Sequence, residues 1–158
     1  MSRKPIVVAN WKMHKTLEGA VSFALNFKKH VDELVGVDMG IGAAAPLLEA
    51  LSGKLKGMGT LIFGQNMHEE SEGAFTGEIS ASMLCSVGCQ GVILGHSERR
   101  HIFGETDEQI AKKVAKALES NLIPILCVGE TLAQRNAGNT HSVVGKQIQS
   151  ALAGIESE

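Results

Sequence analysis

No excess of either charge sign marks this chain: fifteen lysines and arginines stand against seventeen aspartates and glutamates, a formal net charge of −2. That balance gives nucleic acid no basic face to bind, and no run of like charges forms an interaction tail. The apolar stretches fall far short of the roughly 20 residues a membrane helix needs. The opening MSRKPIVVANW lacks a signal-peptide pattern and enters a strand almost at once. Neither a membrane nor a nucleic acid is therefore an expected partner. The three cysteines, Cys85, Cys89 and Cys127, are odd in number and unpatterned. They predict a reducing, cytoplasmic setting rather than a disulfide scaffold. Cys85 and Cys89 lie four apart, but no second ligand pair stands at zinc-like spacing, so no metal is expected. Also missing are a glycine-rich dinucleotide fingerprint, a Walker loop and a Gly-x-Ser-x-Gly elbow. Ser97 follows His96 directly, and sequence neighbours on a turn rarely form a nucleophile–base pair.

What is present suits a globular α/β protein. A chain of 158 residues, 44% hydrophobic and 20% charged, can bury a sizeable core and reads as a single domain, 1–158. Five short apolar runs recur: IVVANW from Ile6, MGIGAAA from Met39, GTLIFGQN from Gly59, GVILG from Gly91 and LIPILCVG from Leu122. None alternates cleanly with polar residues, which predicts strands buried on both faces, as in a parallel sheet. Pro124 inside the last run is a mild objection, because proline removes a ladder donor. The glycines of Gly40-Ile41-Gly42 lie inside a run and read as tight packing.

Helical patterns fill the intervals. Leu17, Val21, Ala24, Phe27 and Val31 follow helical spacing behind Thr16 as N-cap. Leu47, Leu48 and Leu51 suit a short helix after Pro46. Ser80 is placed to cap a helix through Met83, Leu84 and Val87 that ends at Gly88. Thr106 and Gln109 form a capping-box pattern before Ile110, Val114, Ala117 and Leu118. The last helix carries Val144, Ile148 and Leu152 on one face and stops near Gly154. Strands alternating with helices imply right-handed crossovers. Pattern alone leaves two architectures open, a doubly wound sheet and part of a (β/α) barrel.

In both, chemistry gathers at the carboxyl ends of parallel strands. The first run ends Asn10-Trp11-Lys12, the third Gln65-Asn66, the fourth Gly95-His96-Ser97-Glu98 and the fifth Cys127-Val128-Gly129-Glu130. Each residue also has a plain structural reading. Lys12 reads equally as a solvated loop lysine and His96 as a satisfied strand cap. Glu98, Arg99 and Arg100 read as a surface charge cluster, Asn10, Gln65 and Asn66 as loop-satisfying amides, and Glu130 as a first-turn helix residue. Their joint occurrence on successive strand ends says more than any one of them.

Four stretches, VVANWKMHKT (7–16), FGQNMHEESEGAFTGEIS (63–80), VILGHSERR (92–100) and PILCVGETLAQRNAGNT (124–140), closely resemble the triosephosphate isomerase family. The resemblance implies a parallel (β/α) barrel of the TIM type, incomplete here because the chain ends at Glu158. It also implies interconversion of dihydroxyacetone phosphate and D-glyceraldehyde 3-phosphate in a homodimer, without cofactor or metal. It casts Asn10 and Lys12 as substrate contacts and His96 as the electrophile that hydrogen-bonds the carbonyl and enediolate oxygens. Glu98 becomes the carboxylate beside His96. Gln65 belongs to the segment facing the partner, and Thr76 is the loop tip that braces the partner's first strand end. That the imidazole works neutral is a known property of this family and not something read from these residues.

The sequence departs from the family pattern at CSVGC (85–89) and AAAPLLEAL (43–51), away from these residues, and above all at its end. In the family the glutamate base and the phosphate loops come later, so the expectation is five β/α units without the base. Alone, such a chain is expected to be inactive or severely impaired. A non-catalytic half-barrel or assembly module is the alternative, and Glu130 as a substitute base ranks last. Unpaired sheet edges would favour a homodimer or higher association.

Overall fold

Strands alternate with one or two helices through the residues that the computed structural model describes, 4–31 and 36–155. The strands are β1 (Ile6–Asn10), β2 (Asp38–Ala43), β3 (Thr60–Gly64), β4 (Gly91–Leu94) and β5 (Ile123–Leu126). Between and after them come α1 (Leu17–Val31), α2 (Ala45–Leu55), α3 (Ala81–Ser86), α4 (Ser97–His101), α5 (Asp107–Glu119), α6 (Leu132–Asn136) and α7 (Thr140–Leu152). All pairings are parallel, and the sheet order is β1-β2-β3-β4-β5. A doubly wound sheet reverses direction at a switch point. Here every strand lies beside its predecessor in sequence, so the sheet is an incomplete TIM-type barrel.

The two faces of the sheet are packed differently. Ile41, Ala43, Ile62, Val92 and Leu94 turn toward the helices and join one core with Leu48, Leu51, Leu84, Ile110 and Val114. The opposite face is filled by Phe63 and Ile93, both buried, lying against glycines of neighbouring strands. A Cβ at Gly40 would come within 2.6 Å of the Phe63 ring, and one at Gly42 within 2.6 Å of Ile93 Cδ1. The Gly-Ile-Gly run is indeed tight packing. Gly91 is more confined than either, with Phe63 Cε1 and the Ile123 carbonyl both 2.4 Å from a built Cβ. Gly91→Ala is therefore expected to lose at least about 1–3 kcal/mol, the usual range for overpacking. Urea denaturation would measure it, and an unchanged midpoint would show that the slot yields.

Helix ends follow the predicted chemistry. The Thr106–Gln109 capping box is present in full, and Ser80 Oγ accepts from the Met83 N–H. Apolar periodicity fares less well at the surface. Met83 and Leu118 are exposed, because α3 and α5 bury narrower stripes than their sequences offer. In α7 the expected face is displaced: Gln147 and Ala151 are buried, while Ile148 and Leu152 are exposed. The cause is a backbone clasp. Gln147 Nε2 donates to the Gly129 carbonyl (3.1 Å) and its Oε1 accepts from the Gly129 N–H (2.8 Å), so the helix turns its amide inward.

Burial on both faces holds for β2, β3 and β4 but not at the margins, where Ile6, Val7 and Ile123 are exposed. β1 and β5 each have a sheet neighbour on one side only. That also accommodates Pro124. The N–H groups of Ile123 and Cys127 donate to Gln90 and Leu94, and by the two-residue period of a strand Pro124 turns the other way, to the unpaired edge. No helix among the described residues is long and apolar enough to cross a membrane.

Candidate functional site

The carboxyl ends of the strands surround a cleft of about 370 Å3, lined by Asn10, Lys12, Gln65, His96 and Glu98 among others. Construction begins at β1. Asn10 Oδ1 accepts from the Lys12 backbone N–H (3.0 Å) and from Gln65 Nε2 (3.0 Å). The same Gln65 amide donates to the carbonyls of Lys12 (2.9 Å) and Gly42 (3.1 Å). These bonds surround an unusual backbone: Lys12 has φ +53, a left-handed conformation that costs a lysine energy unless its surroundings enforce it. Its side chain leaves the turn toward β4. Lys12 Nζ donates to Glu98 Oε1 at 2.8 Å.

His96 enters from the end of β4, where Gly95 (φ +69) turns the chain into α4. Its ring caps that short helix, Nδ1 accepting from the Glu98 N–H at 3.3 Å. Glu98 Oε2 lies 3.2 Å from the same nitrogen. Only one of these contacts is a hydrogen bond at a time. A neutral ring accepts from the N–H, whereas a protonated ring donates to the carboxylate. In the neutral arrangement Nε2 carries the proton and is the nitrogen left to donate to a ligand. The Lys12 ammonium compensates the Glu98 charge in either case. Its hydrogen bond to Glu98 is the main reason that carboxyl lies below its ordinary range, and the charges of Lys12 and His96 add to it.

Gln65 thus makes its amide bonds within its own chain, at the foot of the segment that the resemblance assigns to a subunit interface. Thr76 sits apart from the other candidates. It lies at the exposed tip of the loop 65–79, whose base is closed by the His68 N–H donating to the Ile79 carbonyl (2.8 Å). Within the loop the Phe75 ring lies on His68 with centroids 4.1 Å apart.

Glu130 is placed elsewhere. It lines a separate recess of about 70 Å3 with Ser97 and Arg100. There Glu130 Oε1 accepts from Arg135 Nε (2.7 Å) and Thr140 Oγ1 (3.3 Å). Its own backbone N–H, then Arg135, hold its carboxyl below the ordinary range. A carboxylate so engaged is a poor proton acceptor.

Behind the rim, the polar residues form more than a surface cluster. Arg99 Nε and Lys113 Nζ both donate to Glu105 Oε1, at 2.9 and 2.6 Å, and Lys113 also reaches Asn66 Oδ1 at 3.1 Å. The Lys113 and Glu105 side chains are only 5% and 6% exposed. Sequence reasoning passed over both. A signal existed for the lysine, since position 113 falls on the stripe of Ile110, Val114 and Ala117 at helical spacing. Nothing local marks Glu105.

With this geometry in place, comparison with known proteins is specific. The profile of the triosephosphate isomerase family matches residues 5–158. The triosephosphate isomerase of Symbiobacterium thermophilum is 46% identical over 156 residues, covering 99% of this chain and 61% of that protein. That of Endomicrobium trichonymphae is 44% identical over 153 residues, 97% of this chain and again 61% of the relative. The chain therefore spans about three fifths of the length of these relatives.

Proposed function

The chain belongs to the triosephosphate isomerase family, and on that premise we propose that it supplies the electrophilic half of an isomerase site. The reaction is the interconversion of dihydroxyacetone phosphate and D-glyceraldehyde 3-phosphate through an enediolate. In this reading residues 1–158 are one domain, the N-terminal part of a barrel. The observation that carries it is the linkage of Lys12 to His96 through Glu98 on the rim of one cleft, the carboxylate accepting from Lys12 Nζ and the backbone N–H donating to His96 Nδ1.

Neutral His96 donates from Nε2 to the substrate carbonyl and follows its charge as the enediolate forms. Lys12 places a fixed positive charge beside the phosphate and the developing oxyanion, where exclusion of water strengthens its effect. Asn10 contacts substrate and, with Gln65, holds Lys12 in its strained turn. Glu98 orients Lys12 with its carboxylate and the His96 ring with its backbone N–H, and it is unsuited to be the base, because a carboxyl held low binds protons weakly. Glu130 is excluded from that part for the same reason and by its separate recess. The base belongs to the portion of the relatives that this chain does not cover. The reading calls for no metal or cofactor and places the enzyme in the cytoplasm.

A homodimer completes the proposal. Met13 and Phe103, both exposed, line the cleft, and Ile102 and Phe75 add further exposed apolar surface. A second copy would cover such a surface, with Thr76 reaching the partner's first strand end. No nucleic acid or membrane enters.

The test is isomerisation of dihydroxyacetone phosphate in D2O by a protein extended to the length of the relatives. Proton transfer through an enediolate predicts deuterium at carbon 2 of the glyceraldehyde 3-phosphate. Adding a separately made C-terminal piece to the 158-residue chain is expected to restore turnover. Unlabelled product, or no turnover in the extended protein, would overturn the reading.

A further inference from the structure

We propose that Arg100 is a positioning residue for His96, its guanidinium fixing the peptide through which β4 delivers the imidazole. The inference rests on the reading of His96 as the electrophile. It starts where the sheet stops: the last bond between the two strand ends runs from the Cys127 N–H, just past β5, to the Leu94 carbonyl of β4 (2.8 Å). Beyond it the strands part, and Gly95 turns away with φ +69. The Gly95 carbonyl and the Cys127 carbonyl then need donors.

Arg100 provides both. Nε donates to the Gly95 carbonyl at 2.7 Å, and Nη2 to the Cys127 carbonyl at 3.1 Å. Nη1 pairs with Asp107 Oδ1 at 2.5 Å, at the start of α5. The side chain is only 8% exposed, so these are bonds of a desolvated group with its counterion in place. The Arg100 backbone N–H meanwhile donates to the His96 carbonyl at 3.1 Å. One residue thus grips His96 from both ends.

The consequence follows from peptide planarity. The Gly95 carbonyl and the His96 nitrogen share one rigid plane. Fixing the oxygen fixes that plane, which limits where the His96 Cα–Cβ bond can point. A planar guanidinium can serve three acceptors in different directions, whereas a lysine ammonium is a point charge on a flexible stem. Gly95 is confined by the same group, since a Cβ there would lie 3.0 Å from Arg100 Nη2 and 3.1 Å from Ile110 Cδ1.

The deciding experiment uses the 158-residue chain with 15N-labelled histidine and compares Arg100→Lys with the parent. Parent His96 is expected to give one sharp pair of ring nitrogen signals with Nδ1 as acceptor. In Arg100→Lys those signals are expected to broaden or double while the melting curve remains cooperative. In the extended enzyme the same variant should lower kcat by about 10²-fold, the effect of a misplacement near 1 Å, with KM little changed. Unchanged His96 signals in folded Arg100→Lys would overturn the positioning role. If that variant does not fold, Asp107→Asn decides, because it loosens the guanidinium without removing it. Broadened His96 signals there support the proposal, and unchanged ones refute it. Turnover surviving His96→Gln would instead sink the reading of His96 itself, which the ring signals of Arg100→Lys do not test.

Discussion

Lys12→Met is expected to leave no measurable isomerase turnover in the extended protein, with the far-UV spectrum of the folded chain preserved. Two losses combine. Removing a single preorganised oxyanion donor already costs about 10²–10³-fold in turnover. In the proposed site the same ammonium would also face the substrate phosphate, and it pairs with Glu98. Without it the Glu98 carboxylate stands uncompensated beside the His96 ring. Methionine keeps most of the aliphatic stem, so packing around the turn is little disturbed. A coupled assay at saturating substrate is the measurement, and turnover within a few-fold of the parent would remove Lys12 from the site.

The largest stability effect is expected from Glu105→Gln. Glu105 holds two cations, Arg99 and Lys113, and the lysine beneath it is almost fully buried. Burial alone would push the Glu105 carboxyl up. The hydrogen bond and charge of Lys113, followed by those of Arg99, outweigh it and bring the group below its ordinary value of 4.5. A group whose folded pKa is depressed stabilises the fold fully above its unfolded pKa and loses that contribution as pH falls through the folded value. Stability should therefore be level at neutral pH and decline below about pH 4.5. Glutamine keeps the shape but leaves Lys113 charged and unpaired, for which about 3–5 kcal/mol is the usual cost of breaking a buried pair. Urea titrations at pH 7 and pH 4 would show it. The variant should be much less stable at pH 7, with a smaller difference between the two conditions. Equal stability of variant and parent at pH 7 would mean that water reaches the lysine.

Much of the fold was legible because its signals are local. The continuous runs of β2 to β4 reflect burial on both faces, and Thr106 with Gln109 announces a helix start by chemistry confined to four residues. The site was partly legible for a similar reason, since strand ends gather Asn10, Lys12, Gln65 and His96 within a few residues of apolar runs. What sequence concealed depends on partners far along the chain. Gln147 reads as a surface residue until Gly129, 18 residues earlier, needs its amide. Arg100 reads as surface charge until the parting of β4 and β5 leaves two carbonyls to satisfy. The strained turn at Lys12 is invisible too, because its support comes from Gln65, 53 residues away.

The sheet order bears on biogenesis. Because spatial order repeats sequence order from β1 to β5, no strand waits for a later one before it can pair. Each β/α unit leaving the ribosome meets its neighbour already in place, and pairing among β1 to β5 closes no loop longer than one unit. Assembly can keep pace with synthesis at about 5–20 residues per second. Only the newest strand then offers a growing edge to misassociation, while the first edge, β1, stays open until the barrel closes. A nascent chain stalled at any unit boundary is thus a shorter version of the same architecture, ready to be extended from its last strand.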